Sequence, residues 1–338
     1  MKAVGFYQYL PIEEKDSFLN VEVPDPVPGT HDLVVRVKAV SVNPVDTKTR
    51  MSKGPEVTEE EPQIIGWDAS GIVESVGEHC QVFKPGDEVF YAGDKSRPGA
   101  YGEKHIVDER IVGKKPRQLS FAESAAVPLT AITAWEGMFT RLGISSEKDQ
   151  YKSILIIGGA GGVGSIAIQL AKWAGLHVIA TASRPETEEW CRKMGADEVI
   201  NHREPILPQL ETLDFESVPY IFCLNDTAYH WKNMVDSIAP QGKICSIVGS
   251  KEALDLSQLQ HKSVTFAWEY MFTRPMHQTD DMIAQHRLLT EVSELLDKEA
   301  LQTTLTETLS PLEATTVKEA HKKVESGKMI GKIVIEVQ

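Results

Sequence analysis

Residues Gly158, Gly159, Gly161 and Gly162 put four glycines into five positions, and Val163 and Gly164 follow directly. An apolar run, Ile154 to Ile157, precedes them, and a helical apolar period at Ile166, Ile168, Leu170 and Ala171 follows. The spacing predicts strand, tight turn and helix. Within it Gly159, Gly161 and Gly164 fit G-x-G-x-x-G, with Ala160, Gly162 and Val163 between them. Such a turn lets the chain leave the strand sharply, brings a pyrophosphate against the backbone and packs the helix closely on the sheet. Unpaired N–H groups and the positive dipole end of the helix then face the phosphates. About 20 residues further on, a second strand, His177 to Thr181, brings Ala182, Ser183 and Arg184 to the place where NAD sites usually put an acidic residue for the ribose 2′-hydroxyl. A neutral hydroxyl beside a guanidinium suits a dianionic 2′-phosphate, so the pair predicts NADPH over NADH. The competing reading has Ser183 capping a helix from Pro185 to Met194 and Arg184 as a solvated charge, with Glu186 opposing a phosphate. Asn225, and Val248 with Gly249, end later strands where the rest of a dinucleotide would pass.

The elements that position these residues divide by texture. From Met1 to about Lys115 the chain shows short strands, frequent turns and almost no helical period: Leu33 to Val42 alternates, as does Gly71 to Val76, and Lys84 to Phe90 carries Pro-Gly in a turn. Several such strands imply a small barrel. The acidic run Glu59 to Glu61 reads as a solvated loop. Ser120 and Glu123 form a capping box, and Pro128 separates that helix from a second over Leu129 to Arg141. From Ser153 strands and helices alternate, which predicts a doubly wound parallel sheet. The expected domains are residues 1–124, 125–309 and a closing segment 310–338. Its helix, Leu312 to Ser326, and last strand, Lys332 to Val337, could extend the wound sheet or return to the first domain.

With 338 residues the chain suits two domains. A net charge of −14 without a Lys/Arg block argues against nucleic acid, whose backbone demands a basic face. No signal-peptide h-region and no 18-residue apolar run is present, so a soluble cytoplasmic protein is expected. Cys80, Cys191, Cys223 and Cys245 are scattered without a C-x-x-C pair, and the ten histidines show no ligand spacing, so no metal is expected.

Seven blocks in order along nearly the whole chain resemble the medium-chain dehydrogenase/reductase superfamily, and within it the quinone oxidoreductase branch with its zinc-type alcohol dehydrogenase-like members. They are Ser41 to Arg50, Gly66 to Gly77, Lys84 to Phe90, Gly99 to Val107, Ala125 to Trp135, Ala160 to Gly164 and Ser326 to Val337. The resemblance implies a GroES-like β-barrel catalytic domain to which the C-terminal strand returns, a Rossmann domain, catalysis in the cleft, and a homodimer or homotetramer. Zinc-dependent members carry Cys near Asn43, Gly-His-Glu where this chain has Gly66, Trp67 and Asp68, and a four-Cys lobe that is absent here. Asp68 alone cannot hold zinc. Lys48 stands where many quinone reductases of this type have Tyr.

Without a metal, the chemistry that remains is hydride transfer from NADPH to an acceptor already short of electrons, a quinone or an enone. Asn43 is the first candidate to orient nicotinamide or acceptor, because an amide both donates and accepts. Lys48 is a second candidate, for charge stabilisation, although an exposed loop lysine fits equally. Trp67 offers a flat wall for stacking, or else packs in the core. Asp68 is expected to orient a neighbour such as Arg50, and the resemblance places Thr130 at the nicotinamide ribose or phosphate. A zinc-dependent alcohol dehydrogenase and a non-catalytic NADPH-binding sensor are the alternatives.

Overall fold

The computed structural model describes residues 1–338, which divide into two compact units. One joins Met1–Leu129 to Phe272–Gln338, and the other is Thr130–Met271. The second boundary thus lies well before the 309/310 expected from texture. The helix Ala284–Asp297, which the sequence pattern places near 281–297, and the strand Leu305–Leu309, which that pattern does not show, belong to the first unit. His286 of that helix bonds Val112 O through Nδ1 at 2.7 Å.

In the first unit the strand Asp32–Ser41 is central, buried along nearly its whole length. One side pairs antiparallel with Ala69–Val76. The other side is shared: Asp32–Arg36 pair with Lys104–Asp108, and Ala39–Ser41 pair with the C-terminal strand Lys332–Glu336. The last strand therefore returns to the first unit and completes a seven-stranded sheet. A three-stranded sheet forms from Lys2–Gln8, Leu19–Glu22 and Thr58–Gln63. Glu59 to Glu61 thus lie in a strand rather than a loop; their spread of exposure is that of an edge with one face toward water. A helix that hydrophobic periodicity missed, Pro44–Arg50, interrupts the strands. At seven residues it is too short to show a period. Pro44 at its first position and the bond from Asn43 N–H to Asp46 Oδ2 at 2.7 Å start it.

The second unit is a six-stranded parallel sheet. With its strands counted from Ser153–Ile157, the order is third, second, first, fourth, fifth, sixth. The strand order reverses between the first strand and the fourth, Val218–Cys223, which pair in parallel. In a sheet of this order the crevice at the carboxyl ends beside that switch receives dinucleotides. The helix Gly162–Trp173 leaves the first strand through the glycine turn. Its close seat on the sheet explains one glycine outright: a Cβ on Gly164 would stand 2.3 Å from Gly158 O and 2.6 Å from Gly159 O. Backbone cannot yield to such a contact. Gly164→Ala is expected to lose about 1–3 kcal/mol of stability, read as a lower urea midpoint for this unit; an unchanged midpoint contradicts the packing described.

Candidate functional site

The candidate residues fall into two sets, one in each unit. In the parallel sheet, the glycine turn, Ser183 with Arg184, Asn225, and Val248 with Gly249 all follow carboxyl ends of strands and so share one edge. The turn fits a pyrophosphate. Gly161 precedes the helix, is exposed, and an added Cβ there would meet nothing closer than Gly158 O at 3.8 Å. Gly159, by contrast, faces the interior, where a Cβ would press on Ala180 and on Cys191 Sγ at 2.9 Å. One glycine is open toward a ligand and two are filled by protein, which is the division of labour a phosphate turn requires. Ala160 is buried, while Gly162 and Val163 are partly exposed. Gly249 also opens to free space, and Val248 O accepts from the Thr227 hydroxyl. Asn225 is exposed, and its carbonyl accepts from Cys223 Sγ at 3.1 Å. Thr130 is buried in the helix Pro128–Trp135.

Arg184, not Ser183, is the residue before the helix Pro185–Lys193, and its N–H donates to Thr187 Oγ1 at 3.1 Å. Thr187, three residues on, performs the reciprocal bond, so the Ser183 hydroxyl is not consumed as a cap. Arg184 Nε pairs with Glu186 Oε1 at 3.0 Å. Both side chains reach solvent, and pairs of this kind contribute at most about 1 kcal/mol. A dianion can therefore displace Glu186.

In the first unit a hub of buried polar groups replaces the open loop that the sequence suggests. Asn43 is 1% exposed and Asp68 and Lys332 are 0% and 4% exposed. Asn43 Nδ2 donates to Asp68 Oδ2 at 3.0 Å, and Lys332 Nζ donates to Asn43 Oδ1 and to Val42 O. Lys332 Nζ also lies 3.2 Å from Asp68 Oδ2, while Asp68 Oδ1 accepts from Leu129 N–H at 2.9 Å. Both ends of the Asn43 amide are thus spent inside the unit. The partner of Asp68 is Lys332, not Arg50. Arg50 instead bonds Leu10 O and Glu325, tying its helix to Ala314–Glu325. Burial is the largest influence on Asp68 and raises its pKa; Lys332 opposes it.

Trp67 is buried as well, with Nε1 donating to Asp94 O at 3.2 Å and its ring edge-on to Phe272. It is a packed side chain rather than an open stacking wall. Gly66 makes that placement possible: its φ is +105°, and a Cβ would lie 2.3 Å from the Tyr101 ring. Lys48 is exposed, on the helix face opposite buried Asp46, Thr47 and Arg50. Sequence reasoning missed Asp46 and the C-terminal Lys332 as members of this hub. Asp46 is wholly buried, its Oδ2 accepting from Asn43 N–H and from Tyr101 Oη at 3.4 Å, and Tyr101 Oη lies 3.2 Å from His321 Nε2. Burial pushes Asp46 up to about 7, and holds His321 down to about 3.

The residues present do not fit zinc. No group of three or more His, Cys, Asp or Glu could hold a metal ion. Where Asn43, Trp67 and Asp68 meet, the donors are an amide and a carboxylate already occupied by an ammonium.

Comparison with known proteins supplies the family. Residues 29–136 match the alcohol dehydrogenase GroES-like domain and residues 194–335 the zinc-binding dehydrogenase domain. A zinc-type alcohol dehydrogenase-like protein of Staphylococcus aureus strain MSSA476 is 44% identical over the full length of both chains. The 2-methylene-furan-3-one reductase of Solanum lycopersicum is 34% identical over 74% of this chain and 63% of its own. Among solved structures, a Rhizobium etli CFN 42 protein assigned to the zinc-dependent alcohol dehydrogenases is 49% identical with a TM-score of 0.95, covering 100% of this chain and 98% of that one. The Escherichia coli quinone oxidoreductase complexed with NADPH shares the fold, at 23% identity, TM-score 0.82, and coverage of 99% and 100%. A strand order and glycine turn of this kind, in one chain with a GroES-like sheet, mark a nicotinamide-dependent oxidoreductase family. The chain belongs to the medium-chain dehydrogenase/reductase superfamily, among its zinc-type alcohol dehydrogenase-like proteins.

Two expectations follow. Lys332→Met leaves Asp68 buried and uncompensated, and should cost about 3–5 kcal/mol; adding Asp68→Asn should recover a large part, and equal losses in the single and double variants would contradict the pairing. Asp46 has a folded pKa of about 7 against its ordinary 3.8. Its contribution to stability is therefore full below pH 4 and lost as pH rises through about 7. In Asp46→Asn the fall in urea midpoint between pH 5 and pH 8 should be smaller than in the parent; parallel pH profiles would refute the assignment.

Proposed function

We propose that the protein is a zinc-independent NADPH-dependent oxidoreductase that reduces a quinone or another activated carbonyl or enone. The observation that carries this reading is the Asn43–Asp68–Lys332 hub: a site of dehydrogenase lineage whose metal-ligand positions hold an amide, an indole and a carboxylate, closed by a lysine. Without a thiolate or imidazole to hold a Lewis acid, an unactivated ketone or alcohol lacks its polarising group. A quinone or enone needs none. When bound, the coenzyme supplies the hydride, and the chain contributes position and field.

The glycine turn and helix Gly162–Trp173 receive the pyrophosphate, and Ser183 with Arg184 take the 2′-phosphate once Glu186 is displaced. Thr130, Asn225, Val248 and Gly249 flank the rest of the coenzyme. Asn43 acts as a positioning residue, fixing the start of the helix Pro44–Arg50 so that its exposed face, with Lys48, is presented to the acceptor. Lys48 is the candidate to meet the negative charge that grows on the acceptor oxygen. The Trp67 backbone steadies Asp46 in that helix by a hydrogen bond, while its ring packs on Phe272. The tomato reductase, named for a methylene-furanone, supports an enone as acceptor class.

A homodimer or homotetramer is part of the reading. The outermost strand of the parallel sheet, Thr265–Trp268, has one unpaired side, and Trp268 is about half exposed on it.

Coenzyme oxidation across quinones, enones, aldehydes and ketones tests the proposal. The expected result is turnover of quinones or enones with kcat/KM at least about tenfold higher for NADPH than for NADH, the preference falling about tenfold in Arg184→Ala. NAD-dependent alcohol oxidation as the sole activity would overturn it.

A further inference from the structure

Arg50 is a buried charge that the proposed chemistry does not use, and the inference drawn from it rests on the acceptor reading of Lys48. It is the largest wholly buried side chain of the protein. Arginine is almost never shut away to this degree unless it is paired. Its fork holds two elements at once: Nη1 donates to Leu10 O, just past the first strand, and Nη2 to Glu325 Oε1, at the last residue of the helix Ala314–Glu325. The other titratable groups around it do not compete for that role. His321, one turn before Glu325, faces the same guanidinium, but burial, then Arg50, holds it down to about 3, so a neutral ring stands there. Asp46, one turn before Arg50, accepts instead from Asn43 N–H and Tyr101 Oη.

Stability is a weak reason for such a pair, since replacing a buried ion pair by apolar side chains is often neutral or stabilising. What the pair supplies, and an apolar contact does not, is a single orientation: a planar guanidinium bonded on both prongs resists rotation. The helix Pro44–Arg50 has seven residues, fewer than two full turns. A helix so short takes its place from what grips its ends rather than from its own hydrogen bonds. Asn43 fixes one end and Arg50 the other. Lys48 stands two residues before Arg50, about 200° around the axis, and is exposed on the far face. Met51, also exposed, follows three residues after Lys48 and adds an apolar contact beside the ammonium. Any rotation of the helix that moves Arg50 swings Lys48 through the same angle.

We propose that Glu325 and Arg50 are a positioning pair for the acceptor: the reach of the Glu325 side chain, through the Arg50 fork, sets where Lys48 and Met51 meet the acceptor's oxygen and ring. Neither member of the pair touches the acceptor, and neither takes part in hydride transfer. The glycine turn and the residues that share its edge belong to the other unit, so coenzyme affinity is the internal control.

Two substitutions at Glu325 separate reach from charge, measured with the quinone or enone that the full-length protein turns over best. Glu325→Asp keeps the charge and shortens the side chain by one methylene; acceptor kcat/KM should fall about tenfold while the Kd of NADPH stays within about twofold of the parent. Glu325→Gln keeps the reach and an oxygen for Arg50 but leaves a buried charge unbalanced; its urea midpoint should drop while acceptor kcat/KM stays within about twofold. In a Lys48→Met background the Asp substitution should add no further loss, because the pair acts through Lys48. An Asp variant that matches the parent overturns the proposal, as does a Gln variant that loses as much acceptor kcat/KM as the Asp variant. Losses that add to that of Lys48→Met, or a weakening of NADPH binding equal to the loss of acceptor kcat/KM, mark a purely structural role and overturn it too. If Lys48→Met alone turns over every acceptor as the parent does, the acceptor reading itself falls, and this inference with it.

Discussion

A lysine ammonium buried against an aspartate is the constraint on which the catalytic unit depends. Lys332 and Asp68 lie in the interior, where an isolated charge costs several kcal/mol. The cost is met only if the C-terminal strand docks. Lys332 reaches Asn43 across 289 residues of sequence, and the same docking lets Ser41 donate through Oγ to Ile333 O at 2.8 Å and through N–H to Asp68 O at 3.0 Å. Strand return, helix start and placement of the Gly66–Asp68 segment are thus one event. A purely apolar contact would hold the strand as well, but it would not fix the Asn43 amide in a single orientation.

The same hub sits where the resemblance to zinc-dependent dehydrogenases would put metal ligands. An amide occupies one ligand position and an indole another, and the remaining carboxylate is neutralised by Lys332. Charge balance that a metal ion would supply in a ligand cluster is here supplied by a side chain, at no cost in chelation geometry. Under the function proposed above, the substrate brings its own electron deficiency.

Much of the parallel sheet was legible because it is local. The apolar run, the glycines and the following helix sit within 20 residues, and each rule applies to neighbours in sequence; the capping box at Ser120 and Glu123 is another such case, with Glu123 N–H donating to Ser120 Oγ at 3.2 Å. The catalytic unit was less legible because its decisive contacts are long-range. Lys332 opens the apolar strand KIVIE, and a lone charge at such a position is the one signal that could have marked it; nothing near it names Asp68 as its partner. Asp46, three residues after Asn43 in an N-x-x-D capping pattern, was visible in principle. Arg50 went to Glu325, and Trp67 turned inward to Asp94 and Phe272, because burial decided between partners that spacing could not rank.

The most direct test of the ion-free site is to measure metal content and quinone-dependent NADPH oxidation on one sample before and after exhaustive dialysis against a strong chelator. The account predicts no stoichiometric zinc at the outset and an unchanged kcat afterwards. One zinc per chain, with turnover lost on dialysis and restored by adding the metal back, would contradict it.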